Sequence, residues 1–135
     1  MPSAKRNHFK TIVIPSGSST HVEPIDLREV VPVGLRMPVA WTDAPISFSG
    51  SQTNLAFSSS DYSFLAGSNS RIFRLSPVVA FGGYQLNERW FDSINWLFVV
   101  SGDLSVGTGG LVNQGAERII TLTLKERDYA PGVSD

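Results

Sequence analysis

The chain has 135 residues, with 11 Lys and Arg against 12 Asp and Glu, a net charge of -1 and no cysteine. That length suits one domain able to bury a core without disulfides or a metal. Near-neutral charge gives no electrostatic drive toward nucleic acid or membrane, and the missing cysteines exclude a disulfide scaffold, a thiolate nucleophile and Cys-ligated zinc.

The opening stretch, MPSAKRNHFK, has no apolar segment of the secretory kind. No apolar run approaches the roughly 20 residues needed to span a bilayer, so the chain is expected to fold where it is made. Residues 1–10 are polar and basic and are expected to form a flexible arm, with Lys5, Arg6 and Lys10 as its charges. Thr11 to Pro15 reads as a short β-branched strand and residues 16–20 (SGSST) as a turn. Residues 21–27 are expected to be extended, with Val22, Ile25 and Leu27 buried and Pro24 marking an edge strand or a break.

The segment from Val31 to Ser51 organises the rest. Val31, Val33, Leu35 and Met37 alternate with other residues, and Ile46 and Phe48 alternate with Ser47 and Ser49. A period of two with one apolar face predicts two half-buried strands. Between them Pro38 and Pro45 stiffen the connection and Trp41 offers a large apolar anchor. Residues 47–70 are read as loops around one or two short strands, residues 71–75 (RIFRL) as a strand, and residues 76–81 (SPVVAF) as one helical or 3₁₀ turn opened by Ser-Pro. Residues 84–93 (YQLNERWFDS) form an aromatic, charged loop. Residues 94–101 (INWLFVVS) are apolar on both faces and are expected to be a central strand. A glycine-rich connection follows, and then a last strand over 118–126 with Ile120, Leu122 and Leu124 facing inward. The expected organisation is an arm over 1–10, an all-β, single-domain antiparallel β-sandwich of jelly-roll type over 11–127, and a polar tail over 128–135. The first and last strands are expected to lie side by side.

Nothing in the sequence assembles a catalytic set. His8 and His21 lack a second ligand at metal-binding spacing, so no metal or other cofactor is expected. No G-x-S-x-G elbow is present, and residues 107–110 (GTGG) lack the Lys-Ser or Lys-Thr of a phosphate loop. Glu88 and Asp92 beside Trp90 and Phe91 raise the possibility of a sugar-cleaving pair, but the sequence fixes neither their separation nor a cleft. Tyr84, Trp90 and Phe91 can form a stacking platform for sugar rings, or else fill the core and line a protein interface. Asn113 and Gln114 are read as structural, satisfying backbone groups where a loop enters a strand, and Arg118 as pairing with a carboxylate or stacking on an aromatic ring.

Two segments, VGLRMPVAWTDAPISFSGS (33–51) and LVNQGAERIITLTL (111–124), carry a resemblance when taken together. Their order and spacing resemble a family of small virion proteins of tailed bacteriophages and prophages, in which a G-[IL]-x-M-P-x-A-W-T segment leads into a strand and a V-N-Q-x-A-x-R-x-I-T-L segment ends the domain. Leu75, Pro77, Phe81 and Gly83 loosely match a L-x-P-x-x-F-x-G stretch of the family. Residues 84–93 depart from its pattern, and residues 57–70 do not align with it. The resemblance implies a non-enzymatic capsid decoration or cement protein, made in the host cytoplasm and placed on the capsid exterior. Its implied partners are the major capsid protein and itself, as a homotrimer, with no nucleic acid and no membrane. The candidate interface residues are Lys5, Arg6, Lys10, Tyr84, Trp90 and Phe91. A glycan-binding or receptor-binding module of a head or tail fibre is the alternative.

Overall fold

The structure, a computed structural model, describes residues 7–52, 63–64, 74–75, 82–103 and 110–127. Among these residues nine strands and one 3₁₀ turn follow one another along the chain. They are β1 (Asn7–Ile14), β2 (Ile25–Asp26), β3 (Val30–Arg36), β4 (Ile46–Ser51), β5 (Ser63–Phe64), β6 (Arg74–Leu75), β7 (Gly83–Gln85), the 3₁₀ turn Glu88–Phe91, β8 (Trp96–Ser101) and β9 (Arg118–Glu126).

The pairing is that of one long hairpin folded back on itself. β1 pairs with β9, β2 with β8 and β3 with β7, while β4 takes β5 and β6, all antiparallel. Two further pairings, β3 with β9 and β4 with β8, roll that hairpin into two layers. One sheet, here sheet A, runs β1-β9-β3-β7; the other, sheet B, runs β2-β8-β4-β5, with β6 also on β4. The protein is thus an all-β sandwich of two antiparallel sheets.

The core lies between the sheets. Sheet A sends in Ile12 and Ile14 of β1, Val31 and Leu35 of β3, and Ile120, Leu122 and Leu124 of β9. Sheet B sends in Ile25, Ile46, Phe48, Leu97 and Val99. Strict alternation along β9 produces this: Ile120, Leu122 and Leu124 are buried and the residues between them are not. Gly50 also points to the core side of β4, where a Cβ would sit 2.5 Å from Ile94 Cδ1, so glycine there makes room for Ile94. Pro32 is accommodated at an irregularity of the β3–β9 ladder, whose register shifts between Pro32 and Gly34.

Several expectations are corrected. Residues 7–10 are not arm but the first half of β1, because each finds a partner on β9 from Asn7↔Lys125 onward. Val22 is 72% exposed, since the chain leaves sheet B between Thr20 and Ile25. Pro24 does precede an edge strand, two residues long. Ser47, Ser49 and Ser51, the polar face of β4, are buried. Within residues 84–93 there are a strand, β7, and a 3₁₀ turn capped by Asn87, whose side chain accepts from the Arg89 N–H. The helical turn expected over 76–81, residues 1–6 and the tail over 128–135 lie outside the described residues.

Candidate interaction surface

The outer face of sheet A is set by register. One row across the sheet reads Phe9, Thr123, Gly34 and Gln85; the next reads Thr11, Thr121, Arg36 and Gly83; a third pairs Val13 with Ile119. Threonine and glycine keep this face low. Phe9 is 74% exposed, Ile119 49% and Val13 41%. Its charges are Arg36, between Thr121 and Gly83, and Lys125, between Asn7 and Val31. Gly34 lies under Thr123: a Cβ there would stand 3.4 Å from the threonine side chain.

The candidate interface residues named from sequence scatter. Lys10 is exposed on β1. Lys5 and Arg6 lie outside the described residues. Tyr84 and Trp90 are half-buried and pack against the core. Phe91 is fully buried, its ring edge-on to Phe48 at 5.4 Å, which overturns it as an interface residue. A flat aromatic platform is also excluded, because the Trp90 and Phe91 rings are tilted at 62° with one of them inside the core. Phe91, at the end of the 3₁₀ turn, is buried in the core, while Glu88 at its start pairs with Lys125, 3.2 Å away. That ion pair occupies Glu88, and Asp92 caps the end of the turn.

The two segments that carry the resemblance meet in one place. Gln114 is fully buried. Its Oε1 accepts from the Thr42 N–H at 2.8 Å and from Arg118 Nε at 3.1 Å, and its Nε2 donates to Thr42 O at 3.1 Å and to Ser101 Oγ at 2.8 Å. Thr42 Oγ1 accepts from the Gly115 N–H and from Arg118 Nη2. Trp41 Nε1 donates to Ala44 O, closing the turn. The buried amide thus has partners at both ends, which removes the cost of an unpaired polar group. The structural role expected of Gln114 is what the structure shows; Arg118 is structural too, but its partners are the Gln114 amide and the Thr42 hydroxyl rather than a carboxylate or a ring.

His21 performs a task that the sequence did not disclose. Between the bridge Thr20↔Val100 and the pair Ile25↔Leu97, Val99 has no backbone partner on the β2 side among the described residues. Two side chains stand in: the Val99 N–H donates to His21 Nε2 at 3.0 Å, and Val99 O accepts from Thr20 Oγ1 at 3.1 Å. The other ring nitrogen, Nδ1, lies 2.6 Å from Glu23 O, so the neutral ring carries its proton on Nδ1. The ring stacks on Phe98 at 4.9 Å. Burial, with a smaller contribution from Lys10, pushes the imidazole pKa down from 6.5 to about 4. No residue pattern flags such a role, because it depends on where the β1–β2 connection leaves the sheet.

A surface depression lined by His8, Arg28, Glu29, Val30, Glu126 and Arg127 mixes both charge signs. Arg127 is committed there to the carbonyls of Leu27, Val30 and Phe91. Arg28 forks onto Asp26 and lies 4.9 Å from the Trp96 ring; its hydrogen bonds hold the Asp26 carboxyl below its usual range. Among the described residues no three His, Asp or Glu side chains gather as a metal site, and no helix is long and apolar enough to cross a membrane. No protein-family model, no curated protein and no solved structure matches the chain.

Proposed function

We propose that this chain is a structural protein of a tailed-phage virion, acting by binding rather than catalysis, which decorates the outer capsid surface and cements the shell through contacts with the major capsid protein. The observation that carries the reading is the junction at Gln114. The residues by which the chain resembles the phage family, Trp41 and Thr42 in one segment and Gln114 to Arg118 in the other, lie 72 residues apart and form one hydrogen-bonded junction. A resemblance concentrated on the residues that fasten a fold supports a likeness of fold. The nested strand pairs support the same reading: with β5 and β6 sharing one position they follow the order of an eight-strand jelly roll, an architecture used by viral capsid proteins. A low sheet face of threonine, glycine and apolar side chains, with Arg36 among them, suits seating against a shell, where many symmetric copies turn weak contacts into firm attachment.

Capsids assembled without this protein test the proposal. Purified protein is expected to bind them at many symmetry-related sites and to raise the temperature at which they release their contents. Failure to bind, or capsids equally stable without it, would sink the reading.

A further inference from the structure

Among the described residues the sandwich has four groups of strand edges, and three are short or interrupted. β2 has two residues and follows Pro24; β5 and β6 have two residues each; β7 has three and begins at a glycine. Such devices keep sheets from pairing edge to edge. β1 is the exception. It runs eight residues without proline or glycine, in unbroken register with β9. Among the described residues no strand pairs with its other side. That side presents a row of backbone donors and acceptors that another extended strand can pair with along its length. The exposed Phe9 and Val13 flank it.

We infer that β1 is the self-association edge of this protein, pairing antiparallel with β1 of a second copy about a two-fold axis at Thr11. A two-fold contact sets residue i against j and j against i. Keeping inward faces together requires pairs of like parity. Centred on Thr11, Phe9 meets Val13 of the second copy, Lys10 meets Ile12 and His8 meets Ile14. Every residue from 8 to 14 is used, and the two basic side chains, His8 and Lys10, each face an isoleucine. Centring on Lys10 would set like charges opposite, which is unfavourable. A head-to-tail ring, as the expected trimer would need if it were built by strand pairing, would join β1 to the three-residue β7 and leave most of β1 bare. The two-fold pairing joins both A sheets into one continuous eight-stranded sheet with the Phe9 and Val13 side chains at its middle. A contact one strand wide is at the small end of specific interfaces, so association is weak and depends on concentration.

Sedimentation of the full chain from low micromolar to sub-millimolar concentration tests this. A reversible monomer–dimer equilibrium is expected. The double variant Phe9→Lys, Val13→Lys sets like charges opposite and is expected to weaken dimerisation on the order of a hundredfold; Phe9→Lys with Val13→Glu sets opposite charges in the same register and restores it. Both positions are exposed, so unchanged circular dichroism separates lost association from lost folding. Because the chain has no cysteine, Thr11→Cys gives a single thiol that oxidises to a covalent dimer across the axis. Thr121→Cys gives none, since it would stand three strands from its counterpart, about 14 Å away. A monomer throughout, a trimer, a dimer indifferent to the double-lysine change, or no cross-link at position 11 overturns the inference. The inference stands apart from the virion reading: a strictly monomeric chain that bound capsids would defeat only this one.

Discussion

The two sheets of the sandwich have the same inner chemistry and opposite outer faces. On sheet B the outward pairs are Ser47 with Val100, Ser49 with Phe98 and Ser51 with Trp96. Phe98, Val100 and all three serines are buried, beneath the His21 ring and Leu111 among others. On sheet A the outward positions are threonines, glycines, Arg36 and Gln85, with exposed Phe9, Val13 and Ile119. Both faces alternate with an apolar inner face, so alternation identifies the side that packs in the core and says little about whether the other side is wet. A small hydroxyl is at home under a cover if it finds an acceptor, as Ser47 Oγ does in Gly102 O at 2.6 Å.

This contrast can be broken or sharpened by measurement. Phe98→Ala empties a covered site and is expected to cost about 3–5 kcal/mol in urea unfolding. Acid acts through the same cover. Because His21 is held at about 4 in the folded chain against 6.5 when free, the unfolded chain binds more protons between those values. Stability is therefore full above pH 6.5, falls as the pH drops through that window, and levels off below about 4. The whole loss is on the order of 3 kcal/mol, since each pH unit between the two values is worth about 1.4 kcal/mol. His21→Phe keeps a ring on Phe98 and should abolish this slope; a variant retaining the slope would show that another group causes it. Gly102→Ala is expected to cost about 2 kcal/mol, read as a lowered urea midpoint. Its φ is 129° and a Cβ would meet Gly110 O at 2.4 Å. Ser47→Ala should cost about 1 kcal/mol by the same assay, the worth of one buried hydrogen bond. Phe9→Ala, an aromatic at an outward position like Phe98, should fall within about 0.5 kcal/mol in dilute solution. Equal costs for Phe98→Ala and Phe9→Ala would erase the distinction between the sheets.

The strands with clean period-two patterns were legible. β9 lies where the alternation of Ile120, Leu122 and Leu124 places it, and the two-faced apolar run of β8 is central, as such a run implies; β3 also lies over the alternating Val31, Val33 and Leu35, but its register shift between Pro32 and Gly34 breaks the alternation and leaves Pro32 buried and Val33 half-buried. Side-by-side first and last strands were also expected and found. The start of β1 was not, because Asn7, His8 and Lys10 are polar, and their pairing comes from β9 rather than from local preference. Phe91 was misassigned because a loop of aromatics and charges looks exposed until a 3₁₀ turn rotates one ring inward. Gln114 was legible as structural, but its partner Thr42 was not, since the link spans 72 residues. His21 was illegible for the reason given above: its partner is a backbone amide left over by a departing chain.

The nested pairing also dictates when the fold can appear during synthesis. β9 lies in the middle of sheet A, between β1 and β3, and its residues include Ile120, Leu122 and Leu124 of the core. β1 is made first, yet Ile14 pairs with Arg118 and Asn7 with Lys125. Until the ribosome has released residues 118–126, β1 and β3 have nothing between them. Translation at about 5–20 residues per second therefore leaves the first strand waiting for seconds with both edges bare. A nascent chain whose eight-residue β1 is made about a hundred residues ahead of its partner β9 is one for which dilution on the polysome, or a chaperone that holds extended segments, would raise the yield of folded protein.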